Sequence, residues 1–185
     1  MLQTAAGNLG LENKKVGMLG FVASEIMFFT GLLGAYTVLR HTAKNWPAVS
    51  GLLDFRLGVL NTGLLFLSSL VFIFSLKQIR QEKTGFVKAG WPVVLVLGVL
   101  FLGVQFLEYR ELWTVKNIHL SSSLFGACFY VLTALHGLHL LAGIVCLVWF
   151  WAASKPAGTF EALGLYWHFV DAVWMVLFVT FYIIG

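Results

Sequence analysis

ALGLYWHFVDAVWMVLFVTFYII, residues 162–184, decides the fold, because it is an apolar run long enough to cross a membrane. At a helical rise of about 1.5 Å per residue, it would extend about 35 Å, slightly more than the thickness of bilayer hydrocarbon. Two ionisable residues, His168 and Asp171, lie three positions apart within it. Such groups are costly in hydrocarbon and are usually retained for a reason. The run therefore predicts a transmembrane helix that contains a polar site.

The rest of the chain has the same character. Of its 185 residues, 59% are hydrophobic and only 11% are charged, whereas a soluble domain has about 25% charged residues. The apolar runs lack the alternation of period two that is typical of barrel strands. We therefore predict an all-α integral membrane bundle of five transmembrane helices, at residues 16–39, 57–76, 87–109, 123–152 and 162–184.

The basic residues predict the orientation of this bundle. Residues 1–15 are expected to form a short N-terminal arm, and residues 16–185 a single membrane domain. The arm and the second and fourth loops share seven of the twelve basic residues, namely Lys14, Lys15, Lys77, Arg80, Lys83, Lys88 and Lys155. The first and third loops share the other five, namely Arg40, Lys44, Arg56, Arg110 and Lys116. Because basic loops tend to stay in the cytoplasm, the N-terminus is predicted to be cytoplasmic and the C-terminus outside.

The composition disfavours a disulfide-stabilised protein and a nucleic-acid-binding protein. Cys128 and Cys146 fall in one predicted helix, about five turns apart, which is too far for a disulfide bond. The chain also lacks a basic run with interleaved aromatic residues on a polar background, so nucleic acid is not an expected partner.

Polar side chains are concentrated at two depths of the predicted bundle. Five ionisable residues fall close to the bilayer centre when the helices are aligned by depth, and they are Glu25, His136, His139, His168 and Asp171. Gln105 and Glu108 are one helical turn apart on the third helix and form a second polar patch nearer the outer surface. The first group is the main candidate site.

Three interpretations of the central group remain open. His136 and His139 lie on one helix face and, with His168, could ligate a metal or haem, although no specific ligand motif is present. Glu25 and Asp171 could belong to a proton or ion path. The favoured interpretation is structural: His168 and Asp171 pair within their helix or reach His136, and these groups fix helix packing. For Glu25, the structural alternative is a neutral acid bonded to the fourth helix.

Small and aromatic residues predict the packing faces. A stripe of small residues on the first helix is expected to allow close backbone packing, and it comprises Gly17, Gly20, Ser24, Gly31 and Ala35. The internal face of the fifth helix is predicted from a 4-3-4-3-4 spacing at Gly164, His168, Asp171, Met175, Phe178 and Tyr182. Trp167 and Trp174 lie off that face and are expected to contact lipid or another subunit.

Several of these segments together resemble one protein family. Phe160 to Gly185, quoted in large part above, resembles the closing helix of subunit III of the haem–copper respiratory oxidases, and LTALHGLHLLAG, Leu132 to Gly143, resembles the helix before it. GFVASEIMFFTGLLGAY, Gly20 to Tyr36, resembles the glutamate-bearing helix of that family. LNTGLLFLSS, Leu60 to Ser69, and VQFLEYRE, Val104 to Glu111, fit the two helices between. The order is that of the family, and the resemblance covers nearly the whole chain.

The resemblance implies a non-catalytic subunit, in a short five-helix form that lacks the family's first two helices. Haem and copper would belong to the partner, subunit I, which reduces oxygen and pumps protons, and neither they nor another metal is expected in this chain. The chain would stabilise subunit I and support its proton uptake in a bacterial-type inner (cell) membrane. Glu25 matches the family's buried carbodiimide-reactive glutamate. His136, His139, Glu161 and His168 match positions around bound phospholipid and helix contacts.

Other functions are kept as alternatives. Within the family they are subunit III of a quinol oxidase and the accessory protein of a nitric oxide reductase. Outside it they are an independent small transporter and a haem-anchoring membrane subunit. A transporter should work alone in liposomes, and a haem anchor should retain haem absorbance when it is purified alone.

Overall fold

The protein is seen in a computed structural model that describes residues 2–44, 46, 52–80, 84–153 and 157–184. Side chains are described within these ranges except at 2–12, 79–80, 84–89 and 157–158. Lys83 and Lys155, which entered the prediction of orientation, lie outside the described residues. The side chains of Arg80 and Lys88 are likewise not described.

Five long helices form the described part of the chain, and each is long and apolar enough to cross a membrane. They are α1 (Leu2–Thr42), α2 (Phe55–Arg80), α3 (Thr84–Thr114), α4 (Leu124–Ala152) and α5 (Ala157–Phe178), the last continued by a π-helical segment, Val179–Ile184. The predicted five-helix, all-α fold is thus confirmed. The helix α1 starts at Leu2, so the backbone of the predicted N-terminal arm is helical and continuous with the first span. Its mostly good helix-forming residues explain this extension.

The last helix, α5, lies at the centre of the bundle and packs against α1, α2 and α4. Contacts at both ends hold α1 parallel to it. Lys15 forms an ion pair with Glu161 at one end, and Arg40 Nη2 donates a hydrogen bond to the carbonyl oxygen of Ile184 (2.8 Å) at the other. Because α5 packs against three helices, its side chains can form polar contacts with α1, α2 and α4.

The prediction for the two tryptophans of α5 is wrong. Trp167 and Trp174 are only 1% and 0% exposed. Trp167 Nε1 donates to Ser68 Oγ (3.0 Å), and Trp174 Nε1 donates to Thr62 Oγ1 (3.1 Å). A buried indole needs an acceptor for its N–H, and α2 supplies both acceptors. The buried face of α5 therefore differs from the predicted 4-3-4-3-4 face, on which Met175 is 48% exposed.

The prediction of close packing through the small residues of α1 is also wrong for its glycines. A side chain built at Gly17, Gly20 or Gly31 would meet no described atom within 4 Å, apart from the helix's own backbone and chain neighbours. Instead, α1 buries two aromatic side chains, Phe29 and Tyr36, against the bundle. Aromatic side chains fill a wider gap between helices, so the backbones do not need to approach closely. Most of α1 faces outwards. Only 6% of the residues in its most apolar stretch are buried inside the bundle, against 39% in the corresponding stretches of α4 and α5.

Candidate functional site: two polar clusters in the bundle

The first polar cluster is a pair that joins α1 to α4. Glu25 Oε2 lies 2.9 Å from His139 Nε2, and the two side chains are 18% and 19% exposed. This contact agrees with the structural alternative for Glu25, a bond to the fourth helix, and His139 is the partner. The pair lies at the edge of the bundle rather than in its core.

The second ring nitrogen of His139 determines where the protons lie. His139 Nδ1 is 2.7 Å from the carbonyl oxygen of Leu135, and because a carbonyl can only accept, Nδ1 must carry a proton. The contact at Nε2 then needs a proton of its own, either on Glu25 or on the ring. In both arrangements the pair shares one proton and has no net charge. Such pairing makes two ionisable groups tolerable at membrane depth.

Three helices hold this pair in place. The ring of Phe29 on α1 packs edge-on against the imidazole of His139, with centroids 5.1 Å apart. Tyr166 on α5 donates its hydroxyl to the carbonyl oxygen of His139 (2.8 Å). The imidazole is thus held in position by contacts from α1, α4 and α5.

His168 and Asp171 of α5 face α2. His168 Nδ1 is 2.7 Å from Ser69 Oγ, so His168 contributes to the packing of α5 against α2. Pairing of His168 with Asp171 or with His136 is not found among the described hydrogen bonds. The carboxylate oxygens of Asp171 are shielded and form no well-aligned hydrogen bond with the described residues, although the Ser69 hydroxyl lies close enough to interact with the carboxylate. They adjoin a recess of about 100 Å³ that Ser69 and Thr62 help to line.

His136 lies in the apolar core. It is fully buried, and its ring packs against Phe101 and Trp174 at centroid distances of 5.6 and 5.3 Å. The rings of His136, His139 and His168 therefore face three different sets of neighbours. In the described part of the chain, no three His, Cys, Asp or Glu side chains lie together as metal ligands.

The second polar cluster is buried between α2, α3 and the π-helical segment. Asn61 Nδ2 donates to Gln105 Oε1 (3.3 Å), and Gln105 Nε2 donates to Glu108 Oε2 (3.3 Å). Tyr182 Oη donates to the same carboxylate oxygen at 2.5 Å. Gln105 and Glu108 are 4% and 2% exposed, and Asn61 is 0% exposed. The four side chains, which we call the Glu108 cluster, connect three separate elements.

Sequence reasoning found only half of this cluster. Gln105 and Glu108 were singled out, whereas Asn61 and Tyr182 were not assigned to the patch. A signal for Asn61 was present, because buried residues of α2 follow a 4-3-4-3 spacing at Asn61, Leu65, Ser68, Phe72 and Ser75. This spacing marks one helix face that includes three polar residues.

Comparison with known proteins identifies the family of this bundle. Residues 3–185 match the sequence model of cytochrome c oxidase subunit III. The chain belongs to the cytochrome c oxidase subunit III family. The Glu25–His139 pair and the Glu108 cluster lie within the matched residues, and the resemblance found in the sequence is confirmed.

Three relatives illustrate the range of this family. A cytochrome c oxidase subunit 3 from Thermostichus vulcanus is 32% identical over 91% of this chain and 86% of its own length. A probable cytochrome c oxidase subunit 3 from Nocardia farcinica is 33% identical over 91% of this chain and 87% of its own length. The subunit 3 of Mus musculus is 32% identical over 91% of this chain but only 68% of its own length.

Proposed function

We propose that this chain is the non-catalytic subunit III of a proton-pumping terminal oxidase that reduces oxygen to water. Haem and copper would reside in the partner, subunit I, and electrons would not pass through this chain. The observation that carries the proposal is the family match over residues 3–185, which includes all five helices. We place the complex in a bacterial-type cell membrane, with the N-terminus of this chain in the cytoplasm.

We assign to Glu25 and His139 the support of proton uptake by subunit I. Two observations favour this pair over the other polar groups. It shares a proton without net charge, as the hydrogen bond from His139 Nδ1 to Leu135 requires. It also lies at the edge of the bundle, within reach of a neighbouring subunit, whereas the carboxylate of Glu108 is enclosed.

The remaining polar residues are proposed to stabilise the bundle and its contacts with lipid. His136 supports the core through its aromatic neighbours, and His168 ties α5 to α2 through Ser69. Glu161 anchors the start of α5 to α1 through Lys15. Apolar side chains exposed on every helix are proposed to contact membrane phospholipid, subunit I and other oxidase subunits.

Purification of the tagged full chain from its native membrane tests this proposal. The chain is extracted in a mild detergent, and a gel and a reduced-minus-oxidised optical spectrum are recorded on the same fraction. We expect haem bands and a large co-purifying subunit. A colourless chain that purifies alone would contradict the proposal, and transport by that chain in liposomes would favour an independent transporter instead.

A further inference from the structure

We propose that a groove between α2 and α3, at the end of the bundle marked by Lys77, binds one anionic phospholipid. This inference rests on the phospholipid contact proposed above and gives it a location. The groove lies on a different edge of the bundle from the Glu25–His139 pair. We call it the Lys77 groove.

The Lys77 groove is a lateral opening of about 620 Å³, and the described residues that line it lie mainly on α2. These residues are Leu70, Val71, Ile73, Phe74, Ser75, Lys77 and Gly90. Its floor is formed where the two helices lie close together, because a side chain at Gly90 would collide with that of Ser75. A depression therefore runs along α2 from Leu70 to Lys77, about 10 Å at the helical rise.

The chemistry of the groove changes along its length. Leu70, Ile73 and Phe74 are about half exposed, so the wall is apolar over about one helical turn. The depression lies in the part of α2 that is apolar enough to cross a membrane, Phe55–Gln78. Lipid acyl chains can cover such a surface at this depth, whereas a free phosphate ion cannot.

Lys77 supplies the charge at the end of the groove. Lys15 forms an ion pair with Glu161, and Lys116 forms one with Glu111. The ammonium of Lys77 forms no hydrogen bond or ion pair with a residue that the structure describes. A cation at the polar end of an apolar groove complements an acyl chain joined to an anionic headgroup. Lysines in this position attract anionic lipids through the same electrostatic force.

The test counts bound lipid molecules by native mass spectrometry. The sample is the tagged full chain together with its co-purifying subunits. Phosphatidylglycerol or phosphatidylcholine is added to the detergent micelles as the probe. For Lys77→Gln we expect about fivefold weaker phosphatidylglycerol binding, the typical effect of one lysine near an anionic surface. Ile73→Trp should narrow the groove and lower the occupancy of the bound lipid. Phosphatidylcholine should compete poorly with phosphatidylglycerol in the unsubstituted chain.

Two matched controls make the outcome specific. Lys44→Gln removes a lysine at the opposite end of the bundle, and Leu107→Trp enlarges a side chain that is 53% exposed, like the 52% of Ile73, but lies outside the groove. Both should leave the lipid count unchanged. Equal lipid loss in the controls, unchanged binding in both groove variants, or equal binding of the two lipids would overturn the proposal. Failure of the proposed oxidase function would appear separately, as missing haem absorbance in the same preparation.

Discussion

The two polar clusters of this bundle each contain one glutamate but differ in enclosure and in number of hydrogen bonds. The Glu25–His139 pair joins two helices by one contact and is partly exposed at the bundle edge. The carboxylate of the Glu108 cluster is 2% exposed and one of its oxygens accepts two hydrogen bonds, from Gln105 and Tyr182. A group with several buried partners contributes to stability, because its loss leaves all of them unsatisfied. A group with one partner at an edge can change its bonding at lower cost.

The comparison separates a structural role from a functional one. Removing the enclosed carboxylate of Glu108 should mainly lower the stability of the folded bundle. Removing the edge carboxylate of Glu25 should mainly change the oxygen consumption of the oxidase complex. Substitutions that preserve shape but not acidity distinguish these two effects.

Glu108→Ala is expected to have the largest effect on stability. It leaves the buried Tyr182 hydroxyl and Gln105 amide without their acceptor, which should lower the free energy of unfolding by about 2–4 kcal/mol. Thermal unfolding and yield of the purified complex measure the loss. Glu108→Gln is the control, because it retains an oxygen acceptor for Tyr182 and should be clearly more stable. Equal stability of Glu108→Ala and the unsubstituted chain would remove the Glu108 cluster from the structural account.

Glu25→Leu is expected to have an intermediate effect. It leaves His139 Nε2 without a partner, at a cost of about 1–2 kcal/mol in the free energy of unfolding. Stability should therefore fall less than in Glu108→Ala, as thermal unfolding of the two purified complexes would show. A larger loss for Glu25→Leu would reverse the comparison between the clusters.

Glu25→Gln separates acidity from shape in the same pair. A glutamine can still bond to His139 and is close in shape to a protonated acid, so assembly and initial oxidase activity should remain nearly intact. Gel analysis measures assembly, and oxygen consumption immediately after mixing measures the initial oxidase activity. If the complex fails to assemble, the acid at this position is structurally essential, contrary to the role assigned here.

Ser69→Ala is expected to have the smallest effect. It removes the hydrogen bond between Ser69 and His168, and single polar contacts between membrane helices contribute about 0.6 kcal/mol on average. The same thermal unfolding assay should show a small shift with full assembly, and Thr180→Ala, which removes only a hydroxyl bonded within its own helix, is the control. A loss as large as that of Glu108→Ala would make the α2–α5 contact the main polar support of the bundle.

The fold could be predicted from the sequence because hydrocarbon imposes a simple rule on the chain. A membrane-crossing helix must be apolar for about 20 residues, and the five runs stand out by that rule alone. The rule does not say which side of each helix faces a neighbour. In lipid, apolar residues are acceptable on every side, which is why Trp167 and Trp174 were placed outside although both are buried.

The candidate site was predicted less completely for a related reason. Depth along each helix could be counted, which placed Glu25 level with the histidines of the fourth helix and left a bond between them as one alternative. The choice of His139 rather than His136 depends on the rotation of α4, which tertiary packing determines. The Glu108 cluster joins residues 61, 105, 108 and 182 across three elements, and no local pattern connects Asn61 to Tyr182.

The most direct test of the account is the time course of oxygen consumption by the oxidase complex with this chain removed and then added back. If the chain supports subunit I as proposed, the depleted complex starts at a nearly normal rate and then loses activity sooner during turnover. Adding back the unsubstituted chain should restore the slow decline, and Glu25→Leu should restore it only in part. Identical declines with and without the chain would contradict the proposal that it sustains the activity of subunit I.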